Sequence, residues 1–139
     1  MSAACPNEFV SEEETKTTLS ILSAFGKAEI IPENLFDVVT GISGSGPAYV
    51  FLFIEALADA AVVGGMPRRQ AYEFAAQTVY GAAKMVMETG KHPGELKDMV
   101  CSPAGTTIAA VRTLEANNFR SAVIEGANAA TEKSAAMRG

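Results

Sequence analysis

The chain has 139 residues, enough for one domain-sized unit with a substantial core, and 48% of them are hydrophobic, much of that alanine, with no tryptophan. A formal charge of −5, from 11 basic and 16 acidic residues with no basic run, lacks the electrostatic footprint of a nucleic-acid partner. Two cysteines without ligand spacing and a single histidine exclude a His/Cys metal centre and point to a reduced, intracellular setting, expected to be cytoplasmic.

Alanine-rich, aromatic-poor composition favours closely packed helices, so a mainly α fold is expected. Met1 to Asn7 has neither the basic segment nor the apolar core of a signal peptide. Ser11-Glu-Glu-Glu14 is a capping box that opens a first helix, with acidic residues where the helix dipole favours them. Leu19, Leu22 and Phe25 give that helix an apolar stripe, and Gly26 stands where a terminating glycine belongs. Lys27 to Ile31 reads as a short strand ended by Pro32, with no strand expected before the helix. Such a start resembles the tail of an α/β unit.

From Glu33 onward the pattern is helical. Asn34 to Ile42 is expected as a short helix, broken by the glycine-rich stretch Gly41–Gly46, and Ser45 to about Val63 as a long apolar one. Gly41, Gly44 and Gly46 permit positive φ or close approach of another backbone, so this stretch is predicted as a tight bend. Gly64-Gly65 stops the long helix, and Pro67 starts another that runs to Thr89 with Gly90 as its cap. Pro93 opens a short helix to Val100, with the lone His92 as a loop or N-cap residue. Thr106 to Ala116 and Phe119 to Ala136 complete the set, parted by Asn117-Asn118.

Tyr49, Phe51, Phe53, Ile54, Leu57 and Val62 cover nearly the whole circumference of the long helix. A helix apolar all round is buried all round, and a chain this short can scarcely enclose two of them, so a partner subunit is the expected cover. Glu55 and Asp59 interrupt the apolar run well short of the roughly 20 residues of a bilayer span, so no membrane partner is expected. These two carboxylates share a helix face, and the simplest role for them is a polar seam or pairing with Arg68 and Arg69 across a helix hairpin.

Two stretches carry candidate chemistry. The bend at Gly41–Gly46 fails every phosphate-loop and nucleophile-elbow pattern: G-x-G-x-x-G lacks its third glycine, no G-K-[ST] follows, and G-x-S-x-G ends in Ser45. Ser102-Pro-Ala-Gly-Thr-Thr107 places unpaired backbone amides and hydroxyls at a helix N-terminus, where a carboxylate or phosphate can bind without any lysine or arginine. Ordinary capping by Ser102 or Thr106 is the alternative.

Together the stretches Asp37–Tyr49, Glu55–Asp59, His92–Asp98 and Ser102–Glu115 resemble the C-terminal domain of the pyrroline-5-carboxylate reductase family over nearly the whole chain. The resemblance implies a helical bundle dimerisation domain over residues 37–139, preceded over 1–36 by a short remnant strand and helix of a Rossmann-type dinucleotide-binding domain. It implies reduction of 1-pyrroline-5-carboxylate to L-proline with NADPH or NADH, a homodimer through the long helices, and dimers that assemble into rings, often decamers. By position it implies that Ser102, Ala104, Gly105, Thr106 and Thr107 bind the substrate carboxylate and that Thr40 lies at the pyrroline nitrogen as the catalytic residue.

The family's loop pattern S-P-G-G-x-T has Ala104 in place of a glycine, which is tolerable where φ stays negative. No dinucleotide fingerprint occurs in the chain, so no cofactor is expected to bind it alone, no metal is expected, and no reductase activity is expected without the missing half. Two other readings stay open: a non-catalytic helical dimerisation scaffold, and the C-terminal domain of a different imine or hydroxyacid reductase.

Overall fold

The computed structural model describes residues 1–138. Two compact units are formed, one from residues 1–47 and 124–138, the other from 48–123.

In the first unit, β1 (Ser2–Ala4), α1 (Glu12–Ser23) and β2 (Ala28–Ile30) make a right-sized parallel crossover. The strands pair in parallel with Ser2 opposite Ala28, Ala3 opposite Glu29 and Ala4 opposite Ile30. The sequence pattern misses β1, because three small residues carry no alternation and no β-branched signal; pairing with β2 holds them extended despite their propensity. The capping box of α1 forms as predicted. The Ser11 hydroxyl accepts from the Glu14 amide at 3.3 Å, and the Ser11 amide donates to the Glu14 carboxylate at 2.9 Å. Leu19 and Leu22 are half-buried, while Phe25 is 81% exposed.

Hydrogen bonds from the Ser11 hydroxyl and then the Ser11 amide hold the Glu14 carboxyl below its ordinary value of 4.5. A carboxylate whose pKa is depressed by folding contributes stability that is present above its unfolded value and lost as pH falls through the folded one. Ser11→Ala is therefore expected to lower the melting temperature by a few degrees at neutral pH, and the difference from wild type should shrink as pH falls through the lowered carboxyl pKa of Glu14. Thermal melts followed by circular dichroism across that range test this; a difference that does not depend on pH would overturn it.

The largest departure from the sequence reading lies at the glycines. A 3₁₀ turn (Glu33–Leu35), α2 (Phe36–Val39), a π turn (Thr40–Gly44) and α3 (Gly46–Val63) follow without a break, giving one helical run from Glu33 to Val63. None of Gly41, Gly44 and Gly46 has positive φ, so the predicted bend is a locally widened helix. The cause is Pro47, which has no N–H to donate and whose ring would strike the carbonyl of residue 43 on a regular α path. Widening the preceding turn relieves the conflict, and the Ser45 amide donates to the Thr40 carbonyl at 2.8 Å.

Gly41 is needed for close packing. A Cβ there would lie 2.3 Å from Thr131 Oγ1 and 2.9 Å from the Ala127 carbonyl oxygen on α7 (Phe119–Ala136). Asp37 is buried on the same side, accepting a hydrogen bond from the Ser134 hydroxyl at 2.8 Å and an ion pair from Arg138.

The second unit contains most of α3, then α4 (Arg68–Thr89), α5 (Pro93–Val100) and α6 (Thr106–Ala116). Gly65 at φ 92° turns the chain after α3, and Gly90 at φ 64° ends α4, as the sequence predicts. Asn118 at φ 58° makes the break before α7; asparagine tolerates this conformation better than most side chains.

The α3–α4 hairpin packs on alanines. Ala58, Ala71 and Ala75 are buried, with Ile54, Leu57, Ala61, Val62 and Met66 packed around them. Half of the predicted pairing across the hairpin is present: Arg68 Nη1 meets Asp59 Oδ1 at 2.5 Å, and the Arg68 guanidinium stands 5.4 Å from the centre of the Tyr72 ring, whereas Arg69 pairs instead with Glu73 one turn along its own helix. The Asp59 hydrogen bond pushes the Arg68 pKa up, but the pair is exposed and screened by solvent, so alanine packing rather than this pair holds the hairpin.

Much of the apolar surface of this hairpin is uncovered on the single chain. Phe51, Leu52 and Phe74 are about two-thirds exposed and Val63 is 91% exposed. By length and composition the run Glu33–Val63 is apolar enough to cross a membrane, which corrects the expectation of a run too short for a span: the helix continues through the glycines instead of bending there.

Candidate functional site

The loop between α5 and α6 forms a tight turn followed at once by a helix start. The Gly105 amide donates to the Ser102 carbonyl at 3.0 Å, closing a four-residue turn with Pro103 and Ala104 at its centre. Proline fixes φ at the first central position, and Ala104 has φ 57°, so the turn is type II. The condition that φ stay negative at Ala104 is not met. An L-residue with a Cβ pays about 1 kcal/mol in the left-handed region, where glycine pays almost nothing. Strain of this kind persists only where the surroundings over-determine the backbone.

Ala104→Gly is accordingly expected to raise stability by ~1 kcal/mol, or about 4 °C in melting temperature. A thermal melt that is unchanged or lower would show that the turn relaxes away from positive φ.

Gly105 is the N-cap of α6, with φ −77° and ψ 171°. A Cβ at Gly105 would lie 2.2 Å from Ser102 Oγ, so glycine is required for the Ser102 side chain to fold over the turn. Among the described residues no side chain caps α6, whose N-cap position is itself a glycine. Capping by Ser102 or Thr106, the ordinary alternative, does not occur. The first-turn amides of Thr106 and Thr107 thus present unpaired donors at the positive end of the helix dipole.

The hydroxyl of Thr107, which is half-buried, forms no hydrogen bond within the described residues, whereas Thr113 in the same helix donates back to the Ala109 carbonyl at 3.1 Å. Ser102, Ala104, Gly105, Thr106 and Thr107 are therefore gathered in one turn, which offers donors and no charged side chain.

Thr40 belongs to the first unit. It begins the π turn, is exposed, and its hydroxyl donates to the Phe36 carbonyl at 2.9 Å. Its single proton is therefore committed, and the oxygen lone pairs remain to accept. His92 is an N-cap: its Nδ1 accepts from the Gly94 amide at 3.0 Å at the start of α5.

One feature escaped the sequence reading because β1 did. A cavity of about 490 Å³ opens beyond the carboxyl end of β1, lined by Cys5, Pro6, Asn7, Glu33, Phe36 and Arg138. The carboxyl edge of parallel strands is the usual ligand side of an open α/β sheet. The adjoining helix start does not suit a dinucleotide pyrophosphate, however. The first turn of α1 carries Glu12, Glu13 and Glu14, and its cap is already filled by its own box. No group of three or more His, Cys, Asp or Glu side chains among the described residues could hold a metal ion.

A chain built this way, with helices whose apolar faces are uncovered and an uncapped helix start, is a mainly helical dimerisation domain with a short parallel α/β segment. Residues 33–137 match the family described as pyrroline-5-carboxylate reductase dimerisation. The chain is 62% identical over 134 residues to the pyrroline-5-carboxylate reductase of Escherichia coli K12, covering 96% of this chain and 50% of that protein. It is 53% identical over 133 residues to the Methanosarcina acetivorans enzyme of the same name, covering 96% of this chain and 49% of that one.

Among solved structures, a Coxiella burnetii pyrroline-5-carboxylate reductase superposes with a TM-score of 0.91 at 36% identity, over 95% of this chain and 50% of that one. The Plasmodium falciparum pyrroline carboxylate reductase, solved with NADP bound, gives 0.89 at 38% identity, over 99% and 53%. The chain belongs to the pyrroline-5-carboxylate reductase family. It spans about half the length of the relatives it matches.

Proposed function

We propose that this chain supplies the dimer core and the substrate-carboxylate loop of a pyrroline-5-carboxylate reductase, which reduces 1-pyrroline-5-carboxylate to L-proline with NADPH or NADH. The observation that carries the reading is the uncapped start of α6 behind a strained type II turn. The substrate carboxylate accepts from the amides of Thr106 and Thr107 and from the Thr107 hydroxyl, and the helix dipole favours its charge.

Thr40 serves the ring nitrogen. Because its proton is held by the Phe36 carbonyl, its oxygen is suited to accept from the N–H of the protonated imine, orienting the ring and stabilising the cation that hydride attack requires. Bound NAD(P)H supplies that hydride, and the acidic, self-capped start of α1 does not suit its phosphates. Residues 1–36 are read as the end of the dinucleotide-binding domain and 37–139 as the dimerisation and substrate domain. The working form is a homodimer, with decamer rings a further level of assembly, and the setting is the cytoplasm.

Calorimetric titration with proline tests the loop. The wild-type chain should bind, and Thr107→Val should weaken binding at least tenfold, equivalent to about 1.4 kcal/mol. Absence of binding by the wild type would favour the scaffold reading instead. The chain alone should show no NAD(P)H-dependent turnover. Joined to the nucleotide-binding half of the E. coli relative it should reduce pyrroline-5-carboxylate in preference to other imines or ketoacids, and the opposite preference would favour a different reductase.

A further inference from the structure

We infer that Asp37, held by Ser134 and Arg138, is a positioning residue that sets Thr40 through the helix they share. The inference rests on the reading of Thr40 given above.

Asp37 is the one charged side chain buried among the described residues, and a buried carboxylate is costly unless its oxygens are paired. Both are. Oδ1 accepts from the Ser134 hydroxyl at 2.8 Å, and Oδ2 pairs with the Arg138 guanidinium. These partners lie 97 and 101 residues away in sequence, Ser134 in the last turn of α7 and Arg138 two residues beyond it. One turn further along, Gly41 is pressed against Ala127 and Thr131 of the same helix.

The second half of α7 and the residues just after it thus grip the α2–π segment at two points, Asp37 before Thr40 and Gly41 after it. Between them, the Thr40 hydroxyl is aimed by its bond to the carbonyl of Phe36, the residue adjoining Asp37. The π turn is the place where this helix departs from regular bonding, with the Thr40 carbonyl receiving the Ser45 amide. A turn of that kind has regular α bonding as a competing arrangement, and changing from one to the other rotates every following side chain. The Asp37 clamp fixes the segment on the near side of the widened turn.

The test has two arms. In the chain itself, amide hydrogen exchange across residues 40–45 should accelerate about tenfold in Asp37→Asn and in Arg138→Ala, with α5 and α6 unchanged. The Arg138 side chain is about half exposed, against 9% for Asp37, so its truncation keeps the test open if the Asp37 variant fails to fold. Unchanged exchange at 40–45 in both variants would overturn the inference.

In the complete enzyme formed by joining the chain to the nucleotide-binding half of the E. coli relative, Arg138→Ala should lower kcat about tenfold while KM changes less than threefold, and Arg138→Lys should restore most of it. In a Thr40→Val background the Arg138→Ala loss should fall below twofold, because a positioning residue has nothing left to position. Losses that simply multiply would mean a general structural role and would overturn the inference. Full activity of Thr40→Val alone would instead overturn the reading of Thr40, whatever Arg138 does.

Discussion

Gly41→Val is expected to cost ~3 kcal/mol and to lower the melting temperature of the chain by about 10 °C. Two effects compete. Removing a glycine from a helix interior ordinarily helps, but valine gains only a few tenths of a kcal/mol over glycine in helix propensity. Against that, the new Cβ would sit 2.3 Å from Thr131 Oγ1 and 2.9 Å from the Ala127 carbonyl oxygen. The hydroxyl can rotate away only by giving up its 3.0 Å bond to Ala127, and the carbonyl is backbone that moves only if α7 moves. Overpacking therefore wins.

Thr131→Ala should recover part of the loss by clearing the nearer clash, while the carbonyl contact remains. The comparison can be read from thermal melts of wild type, Gly41→Val and the double variant. A Gly41→Val melt like that of wild type would mean that α7 does not rest on Gly41.

No local pattern in the sequence announces the contact of Gly41 with Ala127 and Thr131. Helix existence and limits from α4 to α7 follow from punctuation whose physics is local: Pro67 and Pro93 at helix starts, Gly90 and Asn118 in the left-handed region at helix ends. The capping box at Ser11 is equally local. The π turn is not legible in the residue types, because glycine clusters ordinarily signal a bend. Pro47 sets the outcome through an argument about the carbonyl four residues back, which a count of glycines does not contain.

β1 is equally illegible, because its three residues are extended only by virtue of β2. The Asp37 clamp joins residues about a hundred positions apart. The site divides in the same way. The anion-binding character of Ser102–Thr107 is legible from residue types, since Pro-Ala-Gly before a Thr-Thr pair marks a turn feeding a helix. That the cap is left empty, and that Ala104 sits at φ 57°, are properties of the folded backbone alone.

Leu52→Asp is expected to abolish self-association and, with it, most of the helical structure. Among the described residues no large side chain is fully buried, and the α3–α4 hairpin is centred on three alanines. An alanine contributes little on burial, whereas each fully buried Leu, Phe or Val contributes about 1.5–3 kcal/mol, and those side chains lie largely at the surface of the single chain. At about 100° per residue, Leu52, Ala56, Ala60 and Val63 fall on the side of α3 opposite Ala58, the alanine that faces α4 in the hairpin. Leu52 is 65% and Val63 91% exposed there, and the alanines between them would let a second helix approach closely.

A dimer whose core is completed only by its partner has no stable folded monomer, so its melting temperature depends on concentration. For the wild type, a tenfold dilution should lower the melting temperature by several degrees, and light scattering should give twice the 14.5 kDa chain mass without detergent. Leu52→Asp places a charge where the partner must desolvate it, at a cost of several kcal/mol, and should leave a monomer with reduced helicity. Val63→Asp, on the same face three turns away, should act in the same direction. A wild type that is monomeric at tens of micromolar and melts independently of concentration would refute this reading, and the 31-residue apolar run Glu33–Val63 would then need a different cover.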